Sequence, residues 1–175
     1  GTKTEVQNEE TKKALVKAAV TASEYGSVVH SETISDETSK TEITWTVYDS
    51  GKLVIEGTGV TPDWSPWFGY KEKITDVIIG DGITALGERN FINYPTLKTV
   101  TVKGSLSKIG NSAFEGCKKL KNIKIKSKKL TLKKVGKSAF KSINKKAKIT
   151  VPKSKKKSYK KILVKRGLSK KAKIK

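Results

Sequence analysis

The sequence predicts an α/β repeat solenoid, β-rich and built from short parallel strands, with a β-hairpin cap before the repeats and a helix cap after them. Three observations predict it. Residues Ile74 to Pro152 hold three related copies of one unit, opening ITDVIIGDGITALGERNF, LKTVTVKGSLSKIGNSAF and LKNIKIKSKKLTLKKVGKSAF. Gly87 to Gly110 and Phe91 to Phe114 both span 23 residues, while Gly110 to Gly136 and Phe114 to Phe140 both span 26, so two landmark series keep step through a three-residue insertion. Each copy also begins with an alternating apolar pair. A period in the twenties marks stacked layers, each too small to bury a core alone.

Taken in order, residues 1–41 are polar and poor in core side chains. The stretch TKKALVKAAV favours a helix from about Asn8 to Ala22, with Glu9 and Glu10 suited to its N-terminus. Val28 to Lys40 reads as a linker or an edge strand. Residues 42–73 form the N-terminal cap. In ITWTVYDSGKLVIEGTG, Ile43, Trp45 and Val47 share one face and Leu53 and Ile55 pair across from them, a hairpin turning at Asp49-Ser50-Gly51. PDWSPWFGY follows, with Trp64, Trp67, Phe68 and Tyr70. These aromatics either cover the first layer or form a sugar-stacking platform; the need of a stack for a covered end favours cover.

In the repeats, residues 74–152, the pairs Val77/Ile79, Val100/Val102, Ile123/Ile125 and Ile149/Val151 point inward, and Ile78, Thr101, Lys124 and Thr150 point outward. A second apolar group, Ile83/Leu86, Leu106/Ile109 and Leu132/Val135, ends at Gly87, Gly110 and Gly136. The glycines are expected to supply a positive φ at a turn. The phenylalanines, four residues on, fill the layers from a short helical or 3₁₀ turn. Residues 153–175 form a capping helix and a last strand. Ser154 is the expected N-cap, Tyr159, Ile162 and Leu163 the apolar stripe, and Gly167 the left-handed C-cap. The stripe is too narrow to favour a membrane-surface helix. KKAKI at 145–149 returns at 170–174, which places a final strand at Ala172 to Lys175.

IGNSAFEGCKKLKNIKI at 109–125, VGKSAF at 135–140 and ITVP at 149–152 resemble the BspA-like, or treponemal-type, bacterial leucine-rich repeats. The resemblance covers residues 74–152. The first copy departs from it, with LGERNF and with Tyr94-Pro95 where the next copy has Cys117-Lys118; the asparagine ladder of commoner leucine-rich repeats is absent, its place taken by Ser105. The resemblance implies a right-handed leucine-rich-repeat superhelix. It implies a secreted or cell-surface protein of an anaerobic, often gut or oral, bacterium, associated with adhesion to host matrix proteins or to other cells. It implies no shared catalytic site and no cofactor.

Charge divides the chain. Residues 1–97 carry 9 basic and 15 acidic side chains; residues 98–175 carry 29 basic and 1 acidic, Glu115. The basic half is nearly all lysine, since Arg89 and Arg166 are the only arginines. Lysine is a hydrated point charge, unlike the forked arginine that reads phosphate and guanine in pairs of bonds. The asymmetry points to an anionic partner; taken with the adhesion that the resemblance implies, the partner is expected to be a host matrix or cell-surface protein, or an anionic glycan or cell-wall polymer. Nucleic acid is the alternative, weakened because Phe114, Phe140 and Tyr159 are assigned to cores and offer no stacking platform. The candidate ligand surface is the outward column set Lys98, Lys103, Lys121, Lys124 and Lys126, with Lys146 beside it, extended by Lys153, Lys155 and Lys156. The bland reading of the same lysines is a solvated face that keeps the protein soluble.

Catalytic chemistry finds no support. His30 is the only histidine, too few for a metal cluster or a triad with matching spacing. Cys117 stands alone, which excludes an intrachain disulfide, and aligns with Tyr94 and Ile143, which makes it a core position. No phosphate-binding glycine loop and no calcium-loop spacing occurs. No apolar run reaches the roughly 18 residues of a membrane span. A sequence with no methionine, beginning at Gly1, is expected to be a processed form with its signal peptide removed, and a monomer.

Overall fold

The structure, a computed structural model, describes residues 24–175. The helix expected over residues 8–22 lies outside the described residues. Val28 to Lys40 resolves in favour of the edge strand: β1 (Val28–Asp36) pairs antiparallel with β2 (Thr41–Tyr48), which pairs antiparallel with β3 (Lys52–Val60). Hydroxyl pairs knit the outer two strands, Ser31 to Thr46 at 2.9 Å and Thr33 to Thr44 at 2.8 Å. The β2–β3 turn closes where expected, the Gly51 N–H donating to Tyr48 O at 3.0 Å. Trp45 faces Ile55 and Val47 faces Leu53.

From β3 onward the sheet is parallel. β4 (Asp76–Ile79), β6 (Thr99–Val102), β8 (Asn122–Ile125), β9 (Lys148–Thr150) and β10 (Lys173–Ile174) follow in that order. The register repeats the sequence period: Leu53, Val77, Val100, Ile123 and Ile149 align, as do Ile55, Ile79, Val102 and Ile125. All are buried. The expected inward set is therefore the observed one, because alternation leaves only one face for an apolar pair. A shorter ladder lies off this path. β5 (Ile83–Leu86) pairs with the end of β3 and with β7 (Lys108–Ile109), and Ile109 bridges to Val135.

The third side of each layer is a turn, and here the structure corrects the sequence. At Ala113-Phe114 and Ala139-Phe140 the expected turn is present as i→i+3 closures, Glu115 N–H on Ser112 O and Lys141 N–H on Ser138 O at 3.2 Å each, and it does not extend into a helix. Instead Arg89, Phe91 and Asn93 donate their N–H groups to Asn111, Ala113 and Glu115 of the next layer, and Ser112, Phe114 and Gly116 donate to Lys137, Ala139 and Lys141. The repeat glycines are not the residues with positive φ. Those are Arg89, Ser112 and Ser138, at φ 56°, 55° and 58°. Glycine is required for a different reason: a Cβ on Gly110 would lie 2.5 Å from Glu88 N, and one on Gly136 2.3 Å from Asn111 N. The layers touch backbone to backbone there, and only a residue without a side chain fits.

The rings form a column. Trp67 stacks on Phe91 (5.5 Å between centroids), Phe91 on Phe114 (5.3 Å) and Phe114 on Phe140 (5.7 Å). Each contact adds about 0.5–1.5 kcal/mol beyond area burial. The aromatic cluster divides around this column: Trp67 is fully buried at its head, while Trp64 and Phe68 stay 63% and 53% exposed. A polar knot seats Trp67, whose Nε1–H donates to Asn90 O at 3.3 Å, while the Asn90 amide donates to Pro62 O at 2.8 Å.

The three-residue insertion is absorbed by a 3₁₀ turn, Leu132–Lys134. That displaces the expected core leucine: Leu130 is buried and Leu132 is only half-buried. Helix α1 (Lys156–Lys165) buries Tyr159 and Leu163. Ser154 is not its N-cap, because a 3₁₀ turn over Lys153–Lys155 precedes the helix and Lys155 takes the cap position without a side-chain bond. The C-terminus meets expectation, with Gly167 at φ 104°, its N–H on Val164 O, and the Leu168 N–H on Leu163 O, a Schellman closure.

Candidate binding face

The outward side of the parallel sheet is ruled into rows by the register. One row runs Thr46, Val54, Ile78, Thr101, Lys124, Thr150. A second runs Lys52, Asp76, Thr99, Asn122, Lys148, Lys173. Lys103 and Lys126 follow their strands at equivalent places, their N–H groups donating to Ile79 O and Val102 O at 2.9 Å each. Lys98 and Lys121 stand at the strand entries, the Lys121 N–H on Lys98 O at 3.1 Å. Adjacent strands are roughly 4.8 Å apart, so Lys98 and Lys121, Lys103 and Lys126, and Lys148 and Lys173 come side by side, while Lys124 stands between Thr101 and Thr150.

The face changes sign along its length. Near β3 and β4 the cation is matched: Lys52 Nζ lies 2.8 Å from Asp76 Oδ2, and Thr99 Oγ1 donates to Asp76 Oδ1. From β6 onward there is no such match. Among the described residues, Lys98, Lys103, Lys121, Lys124 and Lys126 have no carboxylate partner. A shallow hollow of about 450 Å³ lies on this face, lined in part by Asp76, Thr101, Lys124, Lys148 and Lys175.

The structure rearranges the candidate set. Lys98, Lys103, Lys121, Lys124 and Lys126 stand on or beside the strands. Lys153, Lys155 and Lys156 do not; they belong to the 3₁₀ turn and the start of α1. Lys146 leaves its column, because Asn122 pairs with Lys148 and so Lys121 faces the buried Ala147. Lys148, Lys173 and Lys175 were missed. The 26-residue offset from Asn122 to Lys148 carried that signal in the repeat itself.

The other singled-out residues are architectural. Cys117 is buried, its S–H donates to Phe91 O at 2.9 Å, and burial pushes the thiol up to about 12. The Tyr94 phenol is also raised by burial, with Ser65 Oγ 3.0 Å from its hydroxyl. His30 lies against the Trp45 ring, 4.8 Å between centroids, and 3.6 Å from a Glu32 oxygen. Among the described residues no group of histidine, cysteine, aspartate and glutamate could hold a metal ion, and no helix is long and apolar enough to cross a membrane.

Stacked parallel strands and a column of rings running from layer to layer define a repeat protein. The family model for the BspA-type leucine-rich repeat region, a six-copy unit, matches residues 65–170. The chain belongs to that family, and the match reaches from the aromatic segment through α1, beyond the 74–152 span of the resemblance. The chain is also similar to a leucine-rich repeat protein from Eubacterium ventriosum of known crystal structure, at 26% identity and a TM-score of 0.51. The alignment covers 71% of this chain and 39% of that one, so this chain spans about two fifths of that protein's length. No curated protein matches significantly.

Proposed function

We propose that this chain is a non-catalytic binding module of a secreted or cell-surface bacterial protein. Its lysine face docks an anionic partner, either an acidic host matrix or cell-surface protein or an anionic glycan or cell-wall polymer. One observation carries the reading: Lys124 on β8, and Lys103 and Lys126 directly after β6 and β8, are exposed and without carboxylate partners among the described residues. Like charges in neighbouring rows repel, and an acidic ligand removes that cost. In this reading the stack is a right-handed solenoid, closed at one end by the β2–β3 hairpin with Trp67 and at the other by α1, and acts as a monomer.

The test compares immobilised heparin, poly(glycerol phosphate), an acidic matrix protein and duplex DNA at 0.05 and 0.2 M salt. The Lys103→Glu, Lys124→Glu, Lys126→Glu protein should bind its best ligand at least about 10-fold more weakly than the parent at the lower salt. Equal binding by the two proteins would remove the sheet face from consideration. Duplex DNA as the ligand that best survives added salt would replace the proposal with nucleic-acid binding.

A further inference from the structure

The backbone ladder on the turn side runs in one direction. Every bond named above for it goes from an N–H of one layer to a carbonyl of the next, so the donors all point toward the C-terminal end. Peptide dipoles aligned this way sum, as they do in a helix, and leave partial positive charge where the ladder stops. It stops in the layer of Phe140. Phe140 still finds Arg166 O at 3.0 Å. The next donor in the series, equivalent to Asn93 and Gly116, is Ser142. Among the described residues its N–H has no acceptor.

The helix is the cause. Gly167 packs on Lys141 so closely that a Cβ would lie 2.7 Å from Lys141 N, and at φ 104° it turns the chain away. No carbonyl is carried round to Ser142. What remains is a cleft of about 750 Å³ whose lining includes Ser142, Gly167, Lys118, Lys141, Lys145 and Lys146. None of these four lysines has a carboxylate partner among the described residues. Ser142 itself sits at φ 60°, the left-handed geometry common in backbone anion nests.

We propose that this cleft is an anion site for a phosphate or sulfate group, whose oxygens accept from the Ser142 N–H and the surrounding ammonium groups. The site shares no lining residue with the hollow on the sheet face, so it can be tested apart from the function proposed above.

The experiment follows the ¹⁵N-labelled protein by amide NMR during titration with inorganic phosphate and with inorganic sulfate, chloride holding ionic strength constant. A sulfated oligosaccharide and a glycerol-phosphate oligomer form two further arms. The Ser142 amide should shift saturably, and the oligomer that saturates it at the lower concentration identifies the source of the group. The Lys145→Glu, Lys146→Glu protein should bind at least about 10-fold more weakly, its other amides attesting an intact fold. Ser142→Gly, which keeps both the N–H and the backbone conformation, should bind like the parent. Failure of all four probes to move the Ser142 amide beyond the chloride control overturns the proposal. So does an equal response in the double lysine variant.

Discussion

Two residue types at the turn have opposite tolerances. Gly110 is in ordinary φ space but has no room, since a Cβ would press on Glu88 N at 2.5 Å. Gly110→Ala should destabilise by about 1–3 kcal/mol, the range for overpacking a site that cannot give. Ser112, two residues on, is strained in the left-handed region at φ 55°. Ser112→Gly relieves about 1–2 kcal/mol of that strain but adds unfolded-state entropy of up to about 1 kcal/mol, so stability should hold within about 1 kcal/mol. Urea melts of the two variants check the contrast, and equal losses would overturn it. The buried thiol and phenols set the pH response. Cys117 moves from 9.0 to about 12, and Tyr94 and Tyr159 are raised above 10.0, desolvation being the first cause in each case. All three stay neutral in the folded protein while the unfolded chain begins to ionise near pH 9. Their contribution is therefore intact below about pH 9 and is lost as pH rises toward 12. Unfolding free energy measured at pH 8 and pH 10.5 should fall, and Cys117 should resist thiol reagents until the protein unfolds.

At the scale of elements, α1 holds the insertion in place. The Tyr159 hydroxyl donates to Ser127 O at 2.7 Å and accepts from the Leu130 N–H at 3.2 Å. Ser127 is itself buried, its hydroxyl donating to Leu106 O in the layer before. The extra residues are thus pinned between a helix and a neighbouring layer, and Leu130 becomes the core residue while Leu132 is left half-buried. Tyr159→Phe removes both hydroxyl bonds and leaves a buried carbonyl and N–H without partners, a loss of about 1–3 kcal/mol. Amide exchange at Leu130 should accelerate more than exchange at Val100 in the untouched strand β6. Uniform acceleration would show that Tyr159 supports the whole fold and not the insertion.

Over the whole molecule, the mismatch of charge is the dominant feature. The 29 cations against 1 anion beyond residue 97 repel one another across the stacked layers. Salt shortens that repulsion to roughly 10 Å at 0.1 M. Raising NaCl from 0.01 to 0.3 M should therefore lift Tm, by about 2–4 °C for each kcal/mol of repulsion screened. An unchanged Tm would mean that the lysines stand far enough apart to ignore one another. Much of this fold was legible because stacking repeats the same burial every layer. The period, the inward pairs from Val77 to Ile149, the phenylalanine column and the core place of Cys117 are each written several times over in the sequence. The proposed binding face was legible only in part, since Lys124 and Lys126 follow from strand alternation whereas Lys148 depends on how the insertion shifts the register. Sequence alone determined the layers and the sign of their charge, because hydrophobic period and formal charge are local properties of the chain. Only the tertiary structure decided why glycine stands at 110, that Leu130 replaces Leu132, which lysines share a row, and that the turn ladder ends on a Ser142 N–H with no acceptor among the described residues. Each of those depends on which backbone atom of the next layer, more than twenty residues away, comes to lie opposite.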